Sequence, residues 1–301
     1  MLTVPAQGAT MSVIFSESFD SPASAGQFTE RAFGPDNFRS YGFDYSAGPS
    51  SRLTSPIGSA PGGGSMTGLL VAANQTGIYT AAGLNFYPNI PAQSGSYRLQ
   101  FDVYAGVNNV AGTTEMISAG AQASGDRVNI DAGNFRDRDG DWFQTSTDGG
   151  IGNDYITFTR RSGTQIAETQ LNNTDPNLQL AFPSTTYPVA GSPGEGWTTV
   201  TVDADSETTT FMLNGVTISS ISNSDWTSGK PFFGYSDLFR SVAGGETPSV
   251  WSGIDFDPFN ASYAIFDNIT VSVPSAPVPE PTSVLIAIGL TGLSLIRRRS
   301  R

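Results

Sequence analysis

Apolar and polar residues alternate strictly along Tyr97-Arg98-Leu99-Gln100-Phe101-Asp102-Val103, which predicts a strand with one buried and one wet face. The same period of two runs through Trp197-Thr198-Thr199-Val200-Thr201-Val202-Asp203 and again through Thr210 to Leu213 and Val216 to Ile218. Between the last two stands Asn214-Gly215. Both residues accept positive φ cheaply, so the pair predicts a two-residue hairpin turn that sets Leu213 opposite Val216. Further strands are expected over Val13–Phe19, Ile78–Phe86, Glu115–Ala121, Tyr155–Thr159, Pro231–Tyr235 and Tyr263–Val273. No segment reads as a long amphipathic helix. Thirty-four glycines and nineteen prolines punctuate these runs, as many short strands joined by turns require. The pattern predicts an all-β, antiparallel β-sandwich, with long surface loops over Ser50–Ser65 and Leu171–Gly196.

The pattern changes at the C-terminus. Thr282 to Ile296 contains no ionisable group, follows Pro279-Glu280-Pro281 and precedes Arg297-Arg298-Arg299-Ser300-Arg301. As a helix this run rises roughly 22 Å at about 1.5 Å per residue, short of the ~30 Å hydrocarbon core of a bilayer, although flanking arginines can snorkel to the headgroups. Clustered arginine favours the cytoplasmic side, which puts the preceding domain on the outer face. Pro279 and Pro281 hold their neighbourhood extended. The expected organisation is a remnant of a truncated signal peptide at 1–10, a sandwich domain at 11–275 and a tail at 276–301, with its apolar helix at 282–296 and its basic end at 297–301.

The order Pro-Glu-Pro, apolar run, arginine cluster resembles the PEP-CTERM sorting signal of Gram-negative and related bacteria. That resemblance covers Val278 to Arg301. It implies recognition of Pro279, Glu280 and Pro281 by exosortase, a membrane transpeptidase-like enzyme. The protein would be transiently anchored through its C-terminal helix and the Arg297, Arg298, Arg299 end, then passed to the cell surface or the exopolysaccharide matrix. The alternative for the same residues is a permanent C-terminal anchor. Export needs a signal, and Met1 to Phe15 carries neither a basic n-region nor a long apolar stretch. Leu2 to Ala9 resembles the small-residue end of a signal peptide, so the true start is expected upstream.

A length of 301 residues suits one large β domain. The formal charge of −12 understates the acidity of the body, because four of the fifteen basic residues belong to the tail. Nucleic acid is thereby disfavoured as a partner. Without cysteine there is no disulfide framework. Without histidine there is no Ser-His-Asp triad, no His-ligated zinc and no imidazole base. Lysine occurs only at Lys230, with no phosphate-binding glycine loop around it. Carboxylates are left as the acid-base chemistry.

The segment order resembles a concanavalin A-like jelly roll of the laminin-G type. The residues that carry this are Phe15-Ser16-Glu17-Ser18-Phe19-Asp20, Trp197-Thr198-Thr199-Val200, Phe211-Met212-Leu213-Asn214-Gly215 and Phe266-Asp267-Asn268-Ile269-Thr270-Val271. Jelly rolls of this class include β-glucanases, whose two carboxylates stand about 5 Å apart on a strand reading E-x-D-x-x-E or E-x-D-x-E. No such strand occurs here. Neither Glu195 nor Glu207 has an aspartate two residues on, and Asp255-Phe256-Asp257-Pro258 lacks glutamate. The expectation is therefore a non-enzyme.

Two local patterns offer binding chemistry. In Arg136-Asp137-Arg138-Asp139-Gly140-Asp141-Trp142 the alternate carboxylates Asp137, Asp139 and Asp141 supply hard oxygen ligands of the kind calcium takes. The spacing meets an EF-hand loop only in part, and the same residues also read as an acidic hairpin tip turning at Asp139-Gly140. Phe33, Phe38, Tyr41, Phe43 and Tyr45 crowd one stretch, and Trp226 and Trp251 lie in loop-like contexts. Tyr41, Phe43, Trp226 and Trp251 are the candidates for stacking on a glycan; otherwise the crowded rings cover an end of the core. The primary expectation is an exported, non-enzymatic surface or matrix protein with exosortase and exopolysaccharide as partners. The alternatives are a calcium-dependent carbohydrate-binding module and a degenerate glycoside hydrolase.

Overall fold

The computed structural model describes residues 10–34, 37–46, 57–73, 81–107, 115–131, 138–149, 153–222, 225, 228–238 and 262–275. The chain divides into a unit spanning Val13–Val273 and a second made of Met1–Ser12 with Pro274–Arg301. In the second, the Ser275 amide donates to the Thr10 carbonyl at 2.7 Å. The expected membrane run and its arginines lie outside the described residues. Among the described residues, no helix is long and apolar enough to cross a membrane.

The larger unit is an antiparallel two-sheet sandwich. In chain order the strands are β1 (Met11–Glu17), β2 (Phe28–Phe33), β3 (Asn37–Asp44), β4 (Thr67–Ala73), β5 (Ala82–Pro88), β6 (Tyr97–Gly106), β7 (Glu115–Ala123) and β8 (Asp141–Ser146). They continue as β9 (Tyr155–Arg161), β10 (Thr164–Leu171), β11 (Trp197–Ala204), β12 (Thr208–Leu213), β13 (Val216–Ser222), β14 (Lys230–Asp237) and β15 (Tyr263–Pro274). One sheet runs β13-β12-β11-β6-β15-β4-β3, with β1 added beside β15. The other runs β10-β9-β8-β7-β14-β5-β2. Consecutive strands pair at the sheet ends, as in β11 to β13 and β7 to β10, while the central neighbours β11-β6, β6-β15, β15-β4, β7-β14 and β14-β5 are far apart in sequence, as crossing connections between two layers demand.

The alternation read from the sequence is the alternation of the sheets. Tyr97, Leu99, Phe101 and Val103 of β6 face the core between the layers, as do Val200 and Val202 of β11 and Phe211 and Leu213 of β12. Phe233 sits where the layers meet. Its ring lies 5.3 Å from Phe86 and 5.6 Å from Phe28 in its own sheet, and 5.4 Å from Phe101 and 4.9 Å from Phe266 in the other. The Asn214-Gly215 turn has φ of 49° and 77° and pairs Leu213 with Val216 as expected.

Five strands were not legible as strands: β2, β3, β4, β8 and β10. For β4 and β8 the reason is burial on both faces, which removes the alternation; β2, β3 and β10 are instead half-buried along most of their length, so neither face stands out as apolar. The hairpin expected at Asp139-Gly140 is also corrected. β7 ends at Ala123 and β8 begins at Asp141, so the two are joined by a long connection and Gly140 enters a strand rather than turning one. A third correction falls on Leu171–Gly196. It holds a short helix, α1 (Pro176–Ala181), capped by Asp175, whose carboxylate accepts from Asn177 N at 2.9 Å. Leu178, Phe182 and Tyr187 from this segment are buried in the core, so it is part of the packing and not only surface.

Candidate functional site

The site builds on the face of the seven-stranded sheet turned away from the core. Phe86, Phe233, Ala119 and Phe143 point inward, so the residues between them point outward. Pairing register lays these out in three rows across the strands. The central row runs Arg31, Asn85, Gly234, Ser118, Gln144, each opposite the next. On one side lies an aromatic row: Tyr87 and Phe232 with centroids 5.4 Å apart, then Gly120, Trp142 and Phe158. Trp142 and Phe158 stack at 4.2 Å with 18° between planes, and the Arg138 guanidinium lies 5.2 Å from the Phe158 centroid. On the other side lie Gly83, Ser236, Met116 and Ser146.

The chain itself covers one end of this face. After β7, Ser124–Asp131 crosses β5: Asn85 Oδ1 accepts from Asn129 N, Tyr87 OH donates to Arg127 O at 3.0 Å, and Asp139 N donates to Asn129 Oδ1 at 2.8 Å. Val128 and Ile130 pack there against Met116 and Leu238. The middle of the polar row is different. Ser118 Oγ and Gln144 Oε1 are cross-strand neighbours, both residues are at most 2 % exposed, and neither atom has a hydrogen-bond partner; nor does Trp142 Nε1. A buried polar atom without a protein partner costs about 1–3 kcal/mol, which makes this hydroxyl and amide carbonyl the candidate polar pair of the face among the described residues. The chain packs tightly over Gly234, where no side chain fits. A Cβ there would come within 2.3 Å of Leu84 O and 2.4 Å of Asn85 Nδ2, and 3.1 Å from Ser118 Oγ.

A second polar cluster lies on the outward face of the eight-stranded sheet, where Asp102 of β6 stands directly opposite Asp267 of β15. Asp102 accepts from Thr199 Oγ1 at 2.7 Å, Gly62 N at 2.7 Å and Asn268 Nδ2 at 3.1 Å. Asp267 accepts from Asn268 N at 2.7 Å and lies 2.8 Å from Tyr45 OH. Burial, reinforced by the negative charges of Asp102 and Asp20, pushes the Asp267 carboxyl up to about 7. Nearby, Glu195 is held at φ 57° with its carboxylate on Val107 N at 2.8 Å and Tyr104 OH at 3.0 Å, and burial raises its pKa.

The residues singled out from the sequence fall elsewhere. Tyr41 and Phe43 do not share a groove: the register shifts between them at Gly42, whose φ is 69°, and the bulge turns them to opposite faces. Tyr41 enters the core beside Phe19, Phe28 and Phe86, with its hydroxyl donating to Glu30 at 2.9 Å. Phe43 joins Phe38, Tyr45, Trp197 and Tyr104 on the outside of the eight-stranded sheet, while Phe33 packs with Met116 and Val128. Asp139 accepts from Ser124 N at 3.0 Å. Asp141 points into the sandwich and accepts from Thr159 at 2.6 Å and Thr209 at 2.9 Å. The two carboxylates therefore serve different surroundings, and among the described residues no three acidic side chains converge as metal ligands. Asp137, Trp226, Trp251, the Pro279-Glu280-Pro281 strip and the terminal arginines lie outside the described residues.

Ser118, Trp142 and Gln144 went unread in the sequence. The sequence carries no alternation to find them by: Asp141-Trp142-Phe143-Gln144 sets two aromatics between two polar residues, and Ser118 lies in an almost wholly apolar run. No protein-family model matches the chain, and no curated protein does. Solved structures do. A Bacillus subtilis protein of unknown function with a galectin-like fold aligns at TM-score 0.47 and 9 % identity, over 88 % of this chain and 98 % of its own. The endo-β-1,3(4)-glucanase SCLam aligns at 0.43 and 10 %, over 91 % and 94 %. The carbohydrate-binding module CBM66 of Bacillus subtilis aligns at 0.37 and 9 %, over 68 % and 86 %. These likenesses are low in score and identity, and concern layers and strands rather than chemistry.

Proposed function

We propose that this chain is an exported, non-enzymatic glycan-binding protein whose jelly-roll body engages exopolysaccharide through the outward face of the seven-stranded sheet. The observation that carries this reading is the unpaired Ser118 hydroxyl beside the unpaired Gln144 carbonyl, one row from the Trp142–Phe158 stack. Both rows are buried, Trp142 fully and Gln144 to within 2 %, so a sugar, with hydroxyls for the polar row and an apolar ring face for the aromatic one, reaches them only where the covering chain moves aside. Delivery rests on the sequence: the Pro279-Glu280-Pro281 strip, the apolar run and the arginine end support sorting and processing by an exosortase-type enzyme at the membrane.

Binding is tested on a glycan array with the wild type and Gln144→Leu. The leucine replaces an unpaired buried carbonyl by a somewhat shorter apolar group, so it is expected to raise the melting temperature while lowering glycan affinity at least about tenfold. Unchanged binding by a folded Gln144→Leu protein removes this site. The same array with and without calcium decides the calcium-dependent alternative. Release of reducing sugar from β-glucan, lost on neutralising Asp102 or Glu195, would replace the binding reading by a hydrolase.

A further inference from the structure

The segment Ile57–Met66 lies over the aromatic outward face of the eight-stranded sheet and is tied down at several points. Trp197 Nε1 donates to Gly58 O at 2.7 Å, Gly62 N donates to Asp102, and Tyr45 N donates to Met66 O at 3.0 Å. Ile57 is 3 % exposed and packs with Tyr45, Tyr104 and Tyr263, and Met66 joins the same cluster. The Ala60 amide also hydrogen-bonds the Tyr45 hydroxyl, and a further tie is a matter of counting protons. Tyr45 Oη lies 2.8 Å from Asp267 Oδ2 and 3.2 Å from the Ser65 carbonyl. A phenol has one proton to donate. If Asp267 is a carboxylate, that proton goes to the charged oxygen, and the Ser65 carbonyl loses its donor. If Asp267 is a carboxylic acid, its own proton goes to Tyr45 Oη, the phenol proton goes to Ser65 O, and every oxygen is served.

We propose that Ile57–Met66 is a proton-fastened strap, closed through the chain Asp267, Tyr45, Ser65 when Asp267 is protonated and loosened when it ionises, uncovering the Tyr45, Tyr104 and Trp197 surface. The neighbourhood agrees with that assignment. Asp102 receives three donors, from Thr199, Gly62 and Asn268, whereas Asp267 has only the Asn268 amide and the Tyr45 hydroxyl. The charged groups acting on Asp267 are both acidic, Asp102 across on β6 and Asp20 from the turn after β1, and Asp20 itself touches Ser65 Oγ on the strap. Burial and these two charges favour the acid form, while Tyr45 and the Asn268 amide favour the ionised one. The balance puts the transition near neutral pH, where a matrix or surface environment can cross it.

The test is hydrogen exchange of the full chain in detergent at about pH 5.5 and about pH 8.5, corrected for intrinsic rates. Exchange at the Gly62–Met66 amides is expected to rise at least about tenfold at the higher pH in the wild type. In Asp267→Asn it should stay flat, because the amide donates to Tyr45 Oη at every pH. Equal protection at both pH values in the wild type overturns the strap, as does the same rise in the asparagine variant. Should that variant not fold, carbon NMR of the wild-type Asp267 carboxyl decides: a midpoint above about 6 supports the proton chain and one below it refutes the chain.

Discussion

At the scale of single residues, the molecule places charged oxygens where donors meet them and leaves a few unmet. Asp267 is the sharpest electrostatic case. Its folded pKa of about 7 lies above the unfolded carboxylate value near 3.9. Between these values the native state binds more protons than the unfolded one, so this group's contribution to stability is fully present below about pH 4 and is lost as pH rises to about 7. The expected outcome is that Asp267→Asn melts progressively higher than the wild type as pH is raised across that window, measured by paired thermal scans. A constant difference between the two proteins contradicts it. Asp20 and Asp205 are shifted the other way, Asp20 lowered first by the Ser65 hydroxyl and Asp205 by the Glu207 amide, so their contributions are lost only on acidification.

Among elements, the β12–β13 hairpin shows a turn residue working beyond its own turn. Asn214 accepts from Thr199 N at 2.9 Å, and its amide donates to Ala181 O at 2.9 Å and to Tyr187 OH at 2.8 Å. It thereby ties β11 and the end of α1 to the hairpin. Asn214→Ala should cost about 2 kcal/mol, combining the lost hydrogen bonds with the left-handed backbone. Gly215→Ala should cost only about 1 kcal/mol, because its φ is 77° but no atom lies within 4 Å of a Cβ built there. Urea unfolding ranks the two, and the reverse order would show that the turn conformation outweighs the clamp. The same logic explains Tyr41 and Phe43: a bulge at one glycine sends neighbouring aromatics to different layers, which no count of aromatics in a window can detect.

For the whole molecule, burial between two sheets is the main source of stability, since no disulfide exists and the ion pairs are largely at the surface, where such pairs contribute little. Phe233→Ala, at the junction of rings from both layers, should destabilise by about 3–5 kcal/mol, read as a shift in the urea midpoint; a loss under about 1 kcal/mol would place the core elsewhere. At the other end of the chain, intact mass of protein recovered from the cell exterior should correspond to cleavage near Pro279-Glu280-Pro281. A full-length mass there would instead favour a permanent anchor, and Pro279→Ala with Pro281→Ala should abolish the processing.

Sequence alone determined what local chemistry determines. Period-two alternation marked the half-wet strands β6, β11 and β12, the Asn214-Gly215 pair set a register, and the absence of histidine and cysteine closed off whole classes of chemistry before any coordinate was needed. Asp175-Pro176 is also a legible helix start, an N-cap carboxylate before a proline, inside a segment otherwise of loop composition. Tertiary structure decided the rest. Strands sandwiched on both faces lose their alternation, so β4 and β8 became visible only when their neighbours were in place. The Ser118–Gln144 pair and the Asp102–Asp267 pair each join residues from strands that are distant in sequence, and a hydrogen-bond vacancy or a shared proton exists only between atoms that folding has already brought together.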